Sequence, residues 1–306
     1  RMMVDTITTV SLLFLATLSC TEQTAETQKQ YHLERAVDLN DLIPANVNSS
    51  CECGKSGMSG RIYGGTSVSP VKFPFMALIR KEGTSIYGGT LINDRFVLTS
   101  LRGIYMSDPS DLEVFLGTNT LNVSNLPPGA VRAEVTRIKK HGSFQFSSPT
   151  SPFDIAVLRL VDPVQFSPSI SPICLPSYST VEYSGTFNGL VIGWGSTNDS
   201  VQFSAVLVEA PAKAISTYDC QKFHGKNSVK ETICASKVGG GSAIREGDFG
   251  GPLVFVRGRN YVQMGIASFT SGASLPDVFT YTKLFVKWIH QKTNKATYCS
   301  NPIVKY

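Results

Sequence analysis

The stretch that decides the fold is Gly247-Asp248-Phe249-Gly250-Gly251-Pro252-Leu253. On both sides of it, from about residue 62 onward, short runs rich in Val, Ile and Phe alternate with clusters of Gly, Pro, Asn and Ser. Such short, regularly spaced strands are typical of an all-β sandwich or barrel. The predicted strands include Met76–Arg80, Arg95–Thr99, Leu112–Leu116, Ile155–Leu160, Leu190–Gly193, Leu253–Val256 and Val262–Ser268. Apolar residues on one face predict a single late helix, Leu284–Lys292.

Composition excludes several classes of protein. The chain has 306 residues, of which 42% are hydrophobic and 17% charged, a balance too apolar for a disordered protein. Its only long apolar run, Val10–Leu18, is too short to span a bilayer, which argues against a multi-span membrane protein. Small residues and then a polar stretch follow this run, so residues 1–20 are interpreted as a signal peptide and the protein as secreted and extracellular.

Six further strings occur in order along the chain. They are Arg61-Ile62-Tyr63-Gly64-Gly65, Gly88-Gly89-Thr90-Leu91-Ile92, Phe96-Val97-Leu98-Thr99, Asp154-Ile155-Ala156-Val157-Leu158, Gly193-Trp194-Gly195 and Trp288-Ile289. Together with the stretch quoted first, they closely resemble the chymotrypsin/trypsin family of serine proteases. The resemblance implies an all-β fold of two packed six-stranded antiparallel β-barrels with a C-terminal helix. It also implies a leader over residues 21–61, an inactive protease domain over 62–294 and a tail over 295–306.

The catalytic positions depart from the family pattern. The resemblance implies a triad of Ser, His and Asp, and the Asp is present as Asp154. The family segment V-L-T-A-A-H-C reads Val97-Leu98-Thr99-Ser100-Leu101-Arg102-Gly103 here, so Arg102 stands at the position of the His. A guanidinium stays protonated and cannot act as a base. Phe249 stands at the nucleophile's position and carries no nucleophilic atom. The sequence therefore predicts a pseudoenzyme, in which an Arg102–Asp154 salt bridge replaces the catalytic pair.

The substrate pocket departs from the family as well. The resemblance places Ala243 at the pocket floor, where trypsin-like members keep an Asp. Thr270 and Asp277 stand where the family has glycines, so both are expected to put atoms into the pocket. The oxyanion hole would be formed by Gly247 and the backbone amide of Phe249.

The activation machinery is kept. In active relatives, cleavage after an Arg frees an Ile amine that pairs with the Asp beside the nucleophile, and Arg61, Ile62 and Asp248 match these three positions. We therefore expect cleavage between Arg61 and Ile62, with a conformational switch in the second barrel. The alternative is an inherited feature that no longer has a use.

Six of the seven cysteines remain after removal of a signal peptide ending at Cys20. The resemblance implies a Cys220–Cys234 disulfide and a bond from Cys174 to Cys51 or Cys53, with Cys299 taking the other. Three family disulfides are lost at both ends, at the positions Tyr87 and Gly103, Gly189 and Phe255, and Arg245 with residues 272–273.

The charge distribution and the glycosylation sequons indicate what the protein could bind or carry. Residues 62–306 contain 23 basic and 16 acidic residues, a net charge of +7. The basic clusters, at Arg132, Arg137, Lys139 and Lys140 and at Lys283, Lys287, Lys292, Lys295 and Lys305, form either an ordinary solvated surface or a patch for a heparin-like polyanion. Three sequons, Asn48, Asn122 and Asn198, are candidate glycosylation sites. We find no nucleic-acid-binding motif and no metal or cofactor site in the sequence.

These observations favour a secreted, non-catalytic serine protease homologue that binds an extracellular protein, such as an active protease or its substrate. It would act as a cofactor, decoy or adaptor in a protease cascade, or as a venom or saliva component. The alternatives are a basic binder of glycans, membranes or microbes and, less favoured, a residual serine endopeptidase.

Overall fold

The first of two closed barrels contains six strands. The computed structural model describes residue 44 and residues 46–56, 72–148, 151–177, 186–196, 203–225, 231–270, 272 and 274–302. The strands of the first barrel are β2 (Met76–Lys81), β3 (Ser85–Leu91), β4 (Phe96–Thr99), β5 (Leu112–Leu116), β6 (Val131–Lys140) and β7 (Ala156–Leu160). They pair antiparallel in the order β2-β3-β4-β7-β6-β5, and β2 closes the barrel by pairing with β5.

The second barrel also has six antiparallel strands. They are β8 (Phe187–Gly193), β9 (Val208–Ile215), β10 (Thr232–Lys237), β11 (Pro252–Arg257), β12 (Asn260–Phe269) and β13 (Asp277–Tyr281). Their order is β10-β13-β12-β11-β8-β9, with β10 and β9 closing the barrel. The predicted architecture of two six-stranded barrels is confirmed.

The helices of the described part are few and short. The α-helices are α1 (Thr217–His224) and α2 (Thr282–Lys292), and there are 3₁₀ turns at Arg102–Ile104 and Pro109–Asp111. Ser216 caps α1, because its side chain accepts the backbone N–H of Asp219. Helix α2 buries Phe285, Val286 and Ile289 and corresponds to the predicted C-terminal helix.

Each barrel has an apolar core of its own, and a third cluster joins Trp194 to residues of both barrels. Trp194 is fully buried, and its indole N–H donates to the carbonyl of Asn119 at 3.1 Å. A Trp can be buried in this way because its only polar group has a partner.

The segment before the first barrel is fastened to the far end of the chain. Strand β1 (Val47–Glu52) pairs in parallel with β14 (Tyr298–Ser300). Disulfides join Cys51 to Cys299 and Cys53 to Cys174, which decides between the two pairings that the sequence left open. The third disulfide is Cys220–Cys234, as expected.

At one of the positions where the family has a disulfide, this chain has a packing contact between Tyr87 and Gly103. Gly103 lies flat against the ring of half-buried Tyr87, so that a Cβ added at Gly103 would come within 2.1 Å of Tyr87 Cε1. The two positions are therefore still neighbours, and an aromatic ring fills the space beside the glycine.

We predict that Gly103→Ala destabilises the fold by about 1–3 kcal/mol, because the new methyl group overlaps the Tyr87 ring. Gly142→Ala is the matched control, since no atom lies within 4 Å of a Cβ added there. Its effect should stay within about 0.5 kcal/mol. Urea unfolding of both variants measures the difference, and equal midpoints would contradict the packing of Tyr87 against Gly103.

Candidate functional site

The candidate site lies where the two barrels meet, around the side chain of Asp154. Asp154 is fully buried and lies two residues before β7 of the first barrel. Ser268, near the end of β12 in the second barrel, donates its hydroxyl to Asp154 Oδ2 at 2.6 Å. The hydroxyl of Thr280 in β13 donates to the backbone carbonyl of Asp154 at 2.8 Å. The residue thus joins the two barrels through its side chain and its main chain.

Arg102 contacts Asp154, although not in the way the sequence suggested. Its backbone N–H donates to Asp154 Oδ1 at 2.7 Å. Its guanidinium is directed at the main-chain oxygens of Phe146 and Ser148 and lies 5.5 Å from the ring centroid of Phe144. The predicted salt bridge is therefore wrong, since a backbone hydrogen bond is the contact found between the two residues.

Two serines that we did not assign to the site satisfy the Asp154 carboxylate. Ser100 donates to Oδ2 at 2.8 Å, and Ser268 donates to the same oxygen. Burial raises the pKa of Asp154, and the two hydroxyls and the Arg102 N–H oppose that rise. Ser100 stands where the family string V-L-T-A-A-H-C has an alanine, so this departure was the available signal.

Phe249 adjoins this cluster, since a Cβ added at the next residue, Gly250, would lie 3.1 Å from the backbone N of Ser100, and its side chain is turned to the second barrel. The ring is partly buried and packs against that barrel's core. Its carbonyl accepts the N–H of Gly88 at 2.8 Å, and the next residue, Gly250, donates to the carbonyl of Ala267 at 2.8 Å. The structure therefore brings the three triad-equivalent positions, Arg102, Asp154 and Phe249, to one place at the barrel junction.

An aromatic ring fills the space beside Gly247, two residues before Phe249. Gly247 is buried with φ +93°, and a Cβ added there would lie 2.9 Å from Phe203 Cδ1. The Phe203 ring therefore occupies the space next to Gly247, one of the two positions expected to form an oxyanion hole.

Asp248 is held by backbone donors. Its Oδ1 accepts the N–H of Gly195 at 2.8 Å, and its Oδ2 accepts the N–H of Arg245 at 2.9 Å. Only a glycine fits at 195, because a Cβ there would lie 2.1 Å from Asp248 Oδ2. Burial raises the pKa of Asp248 to about 6, and the negative charge of Asp277 adds to the rise. Its expected partner, Ile62, and the cleavage residue Arg61 lie outside the described residues.

The pocket positions converge on a second buried carboxylate. Asp277 is fully buried and accepts the backbone N–H groups of Ala243 and Ile244, the latter at 3.1 Å. The Ser242 hydroxyl lies 2.9 Å from Asp277 Oδ1 and 3.0 Å from the Thr270 hydroxyl. Burial raises the pKa of Asp277, and these hydrogen bonds counteract the rise. The three predicted positions, Ala243, Thr270 and Asp277, thus lie together, and the carboxylate is bound to the protein's own donors.

The described histidines are engaged elsewhere. His141 stacks on Phe153 at 4.9 Å between ring centroids, and its pKa is lowered by burial and by Lys292. His224 Nε2 lies 2.7 Å from the carbonyl of Pro276, and His290 packs edge-on against Tyr298. His32 lies outside the described residues.

Two of the three predicted glycosylation sites lie on the surface. Asn48 and Asn122 are exposed, whereas Asn198 is outside the described residues. In the part of the chain that the structure describes, His, Cys, Asp and Glu side chains form no cluster of three or more suited to a metal ion.

Comparison with known proteins assigns the chain to a family. The sequence model of the family described as Trypsin matches residues 62–289. The chain belongs to the trypsin family. It is also 28% identical over 288 residues to "Transmembrane protease serine 9" of Rattus norvegicus, an alignment that covers 91% of this chain and 26% of that protein. The chain thus spans about a quarter of the length of this relative. Within the described residues, no helix is long and apolar enough to cross a membrane.

For this trypsin-family cleft we predict that Ser100→Ala lowers the free energy of unfolding by about 1–3 kcal/mol, because the buried Asp154 carboxylate loses a donor. Ser107→Ala is the matched control. Ser107 is similarly buried, and its Oγ has no hydrogen-bond partner among the described residues, so this variant should be neutral or slightly stabilising. Chemical denaturation compares the two, and equal losses would contradict a special role for the Ser100 hydroxyl.

The raised pKa of Asp248 predicts a distinctive pH dependence. Because the folded state holds this proton more tightly than the unfolded state, the contribution of Asp248 to stability is greatest below the ordinary pKa of 3.8 and is lost as the pH rises through about 6. Relative to Asp248→Asn, the uncut wild-type chain should lose about 2 kcal/mol between pH 4 and pH 7. Unfolding free energies measured across this range test the expectation. A difference that does not vary with pH would contradict it.

Proposed function

We propose that this trypsin-family chain is a secreted, non-catalytic homologue that acts by binding another extracellular protein. As a cofactor, decoy or adaptor it would act within an extracellular protease cascade, or it would serve as a component of venom or saliva. The observation that carries the proposal is the pair of residues beside Asp154, because neither Arg102 nor Phe249 offers the group that acyl transfer needs.

The chemistry of acyl transfer makes the argument specific. A base must take a proton from the nucleophile, and the Asp must orient that base. Here Asp154 is occupied by two serine hydroxyls and a backbone N–H, and the Arg102 side chain is bound to carbonyl oxygens. The Phe249 ring packs into the second barrel. In the serine protease subtilisin, removal of either the nucleophile or the base alone costs about 10⁶ in turnover.

The pocket supports the same proposal. A substrate side chain that entered it would meet Asp277, whose oxygens already accept hydrogen bonds from Ala243 and Ile244. Displacing those bonds would leave buried donors unsatisfied, which costs about 1–3 kcal/mol for each.

The disulfides support the proposed extracellular location. They also determine whether the leader stays attached after cleavage. Disulfides of this kind persist in oxidising compartments. Because Cys51 and Cys53 are bonded to Cys299 and Cys174, a cut between Arg61 and Ile62 would leave the leader covalently attached.

The test is hydrolysis of casein and of a mixed peptide library by the purified chain, both uncut and cut after Arg61. We expect turnover by the wild type to equal that of Phe249→Ala, which serves as the control for a contaminating protease. The double variant Arg102→His with Phe249→Ser restores the two missing groups, and we expect its turnover to exceed that of both. Activity that is present in the wild type and absent from Phe249→Ala would overturn the proposal.

A further inference from the structure

A cluster of five cations extends from two strands of the first barrel to the end of helix α2. Arg137 of β6 stands directly opposite Arg159 of β7 in the antiparallel pair. Lys139 follows two residues after Arg137 and therefore projects from the same face of the strand. Arg137 is exposed, and Arg159 and Lys139 are half-buried. Directly opposed residues have their Cβ atoms about 5 Å apart, so the two guanidinium groups begin as close neighbours.

The end of helix α2 extends this cluster. The ammonium of Lys139 donates to the backbone carbonyl of Lys292 and lies 5.2 Å from the ring centroid of Phe96. This contact places Lys292, in the last turn of α2, against strand β6, and Lys295 follows three residues later. After burial, the positive charges of Arg159, Arg137, Lys292 and Lys295 are the causes that lower the pKa of Lys139. These five cations are here called the basic surface, and the other four lie close enough to Lys139 for their charges to act on it.

Such an arrangement is unfavourable when nothing is bound. Like charges that face each other directly across a strand pair destabilise a sheet. Among the described residues, none of the ion pairs includes a member of the basic surface. Arg132, which is on the same strand, is instead paired with Glu113. The carboxylate of Asp94, in a loop near the end of α2, accepts the backbone N–H of Thr297 at 3.0 Å.

We propose that the basic surface, formed by Arg137, Lys139, Arg159, Lys292 and Lys295, binds a linear sulfated glycan. Arginine guanidinium groups form paired hydrogen bonds with planar or tetrahedral anions, and lysines add point charges along the chain of anions. A repeating polyanion also relieves the repulsion among the five cations.

Other polyanions fit this surface less well. Single-stranded nucleic acids bind through aromatic rings on which bases stack. The ring next to Lys139 belongs to Phe96, whose side chain is only 2% exposed and cannot take that part. The disulfides indicate an oxidising compartment, where sulfated glycans are abundant. The basic surface includes none of the residues around Asp154, Phe249 or Asp277. This proposal and the proposed loss of catalysis can therefore fail separately.

The experiment measures binding of a size-defined heparin octasaccharide to the full chain by titration calorimetry, from about 0.05 M to about 0.3 M NaCl. The test variants are Arg137→Gln with Arg159→Gln, and Lys292→Gln with Lys295→Gln. The matched control is Arg132→Gln with Lys222→Gln, which removes the same charge from two exposed, ion-paired positions. A desulfated octasaccharide, phosphatidylserine vesicles and a single-stranded oligonucleotide complete the set.

We expect each test variant to weaken octasaccharide binding by more than about tenfold, because each removes two charge-assisted contacts. The control should change affinity by less than about twofold. Affinity should fall steeply with salt, and the desulfated chain should bind far more weakly. Equal losses in test and control variants, no loss in the test variants, or tighter binding to the vesicles or to a single-stranded oligonucleotide would overturn the proposal.

Discussion

A buried carboxylate at the junction of two barrels must find hydrogen-bond donors, and this requirement organises the centre of the molecule. Burying a charge without partners costs far more than the marginal stability of a domain allows. Asp154 meets the requirement with a hydroxyl from each barrel, from Ser100 and from Ser268, together with the N–H of Arg102. The carboxylate therefore joins the two barrels by hydrogen bonds, and these bonds do not require a catalytic base beside it.

The departures from the family pattern share a physical character. Where a disulfide is absent, the Tyr87 ring packs against Gly103, and where a pocket floor is expected, Asp277 binds the backbone of Ala243. Phe249 adds its ring to the core of the second barrel. Each change replaces a reactive or open feature with a contact inside the protein. This pattern is what we expect of a scaffold maintained for its shape and surface.

Much of the fold could be predicted from the sequence, because its motifs are specific and many of its strands are rich in β-branched and aromatic residues. Strand β3 was harder to recognise because Gly88 and Gly89 lie within it, and β9 because Pro211 lacks an N–H for the sheet. The direction of the Arg102 side chain could not be read from the sequence, since its long, flexible stem reaches several acceptors at similar distance. The cysteine pairing is decided by the parallel pairing of β1 with β14. A register shift after Asn48 sets Glu52 opposite Ser300, so that Cys51, the residue before Glu52, lies beside Cys299.

The proposed loss of the catalytic nucleophile is tested most directly by intact mass spectrometry after treatment with a serine-directed fluorophosphonate. The chain is cut after Arg61 and compared with the variant carrying Arg102→His and Phe249→Ser. We predict no adduct on the wild type and a single adduct at residue 249 of the variant. A stoichiometric adduct on the wild type, above all at Ser100 or Ser268 beside Asp154, would contradict the account.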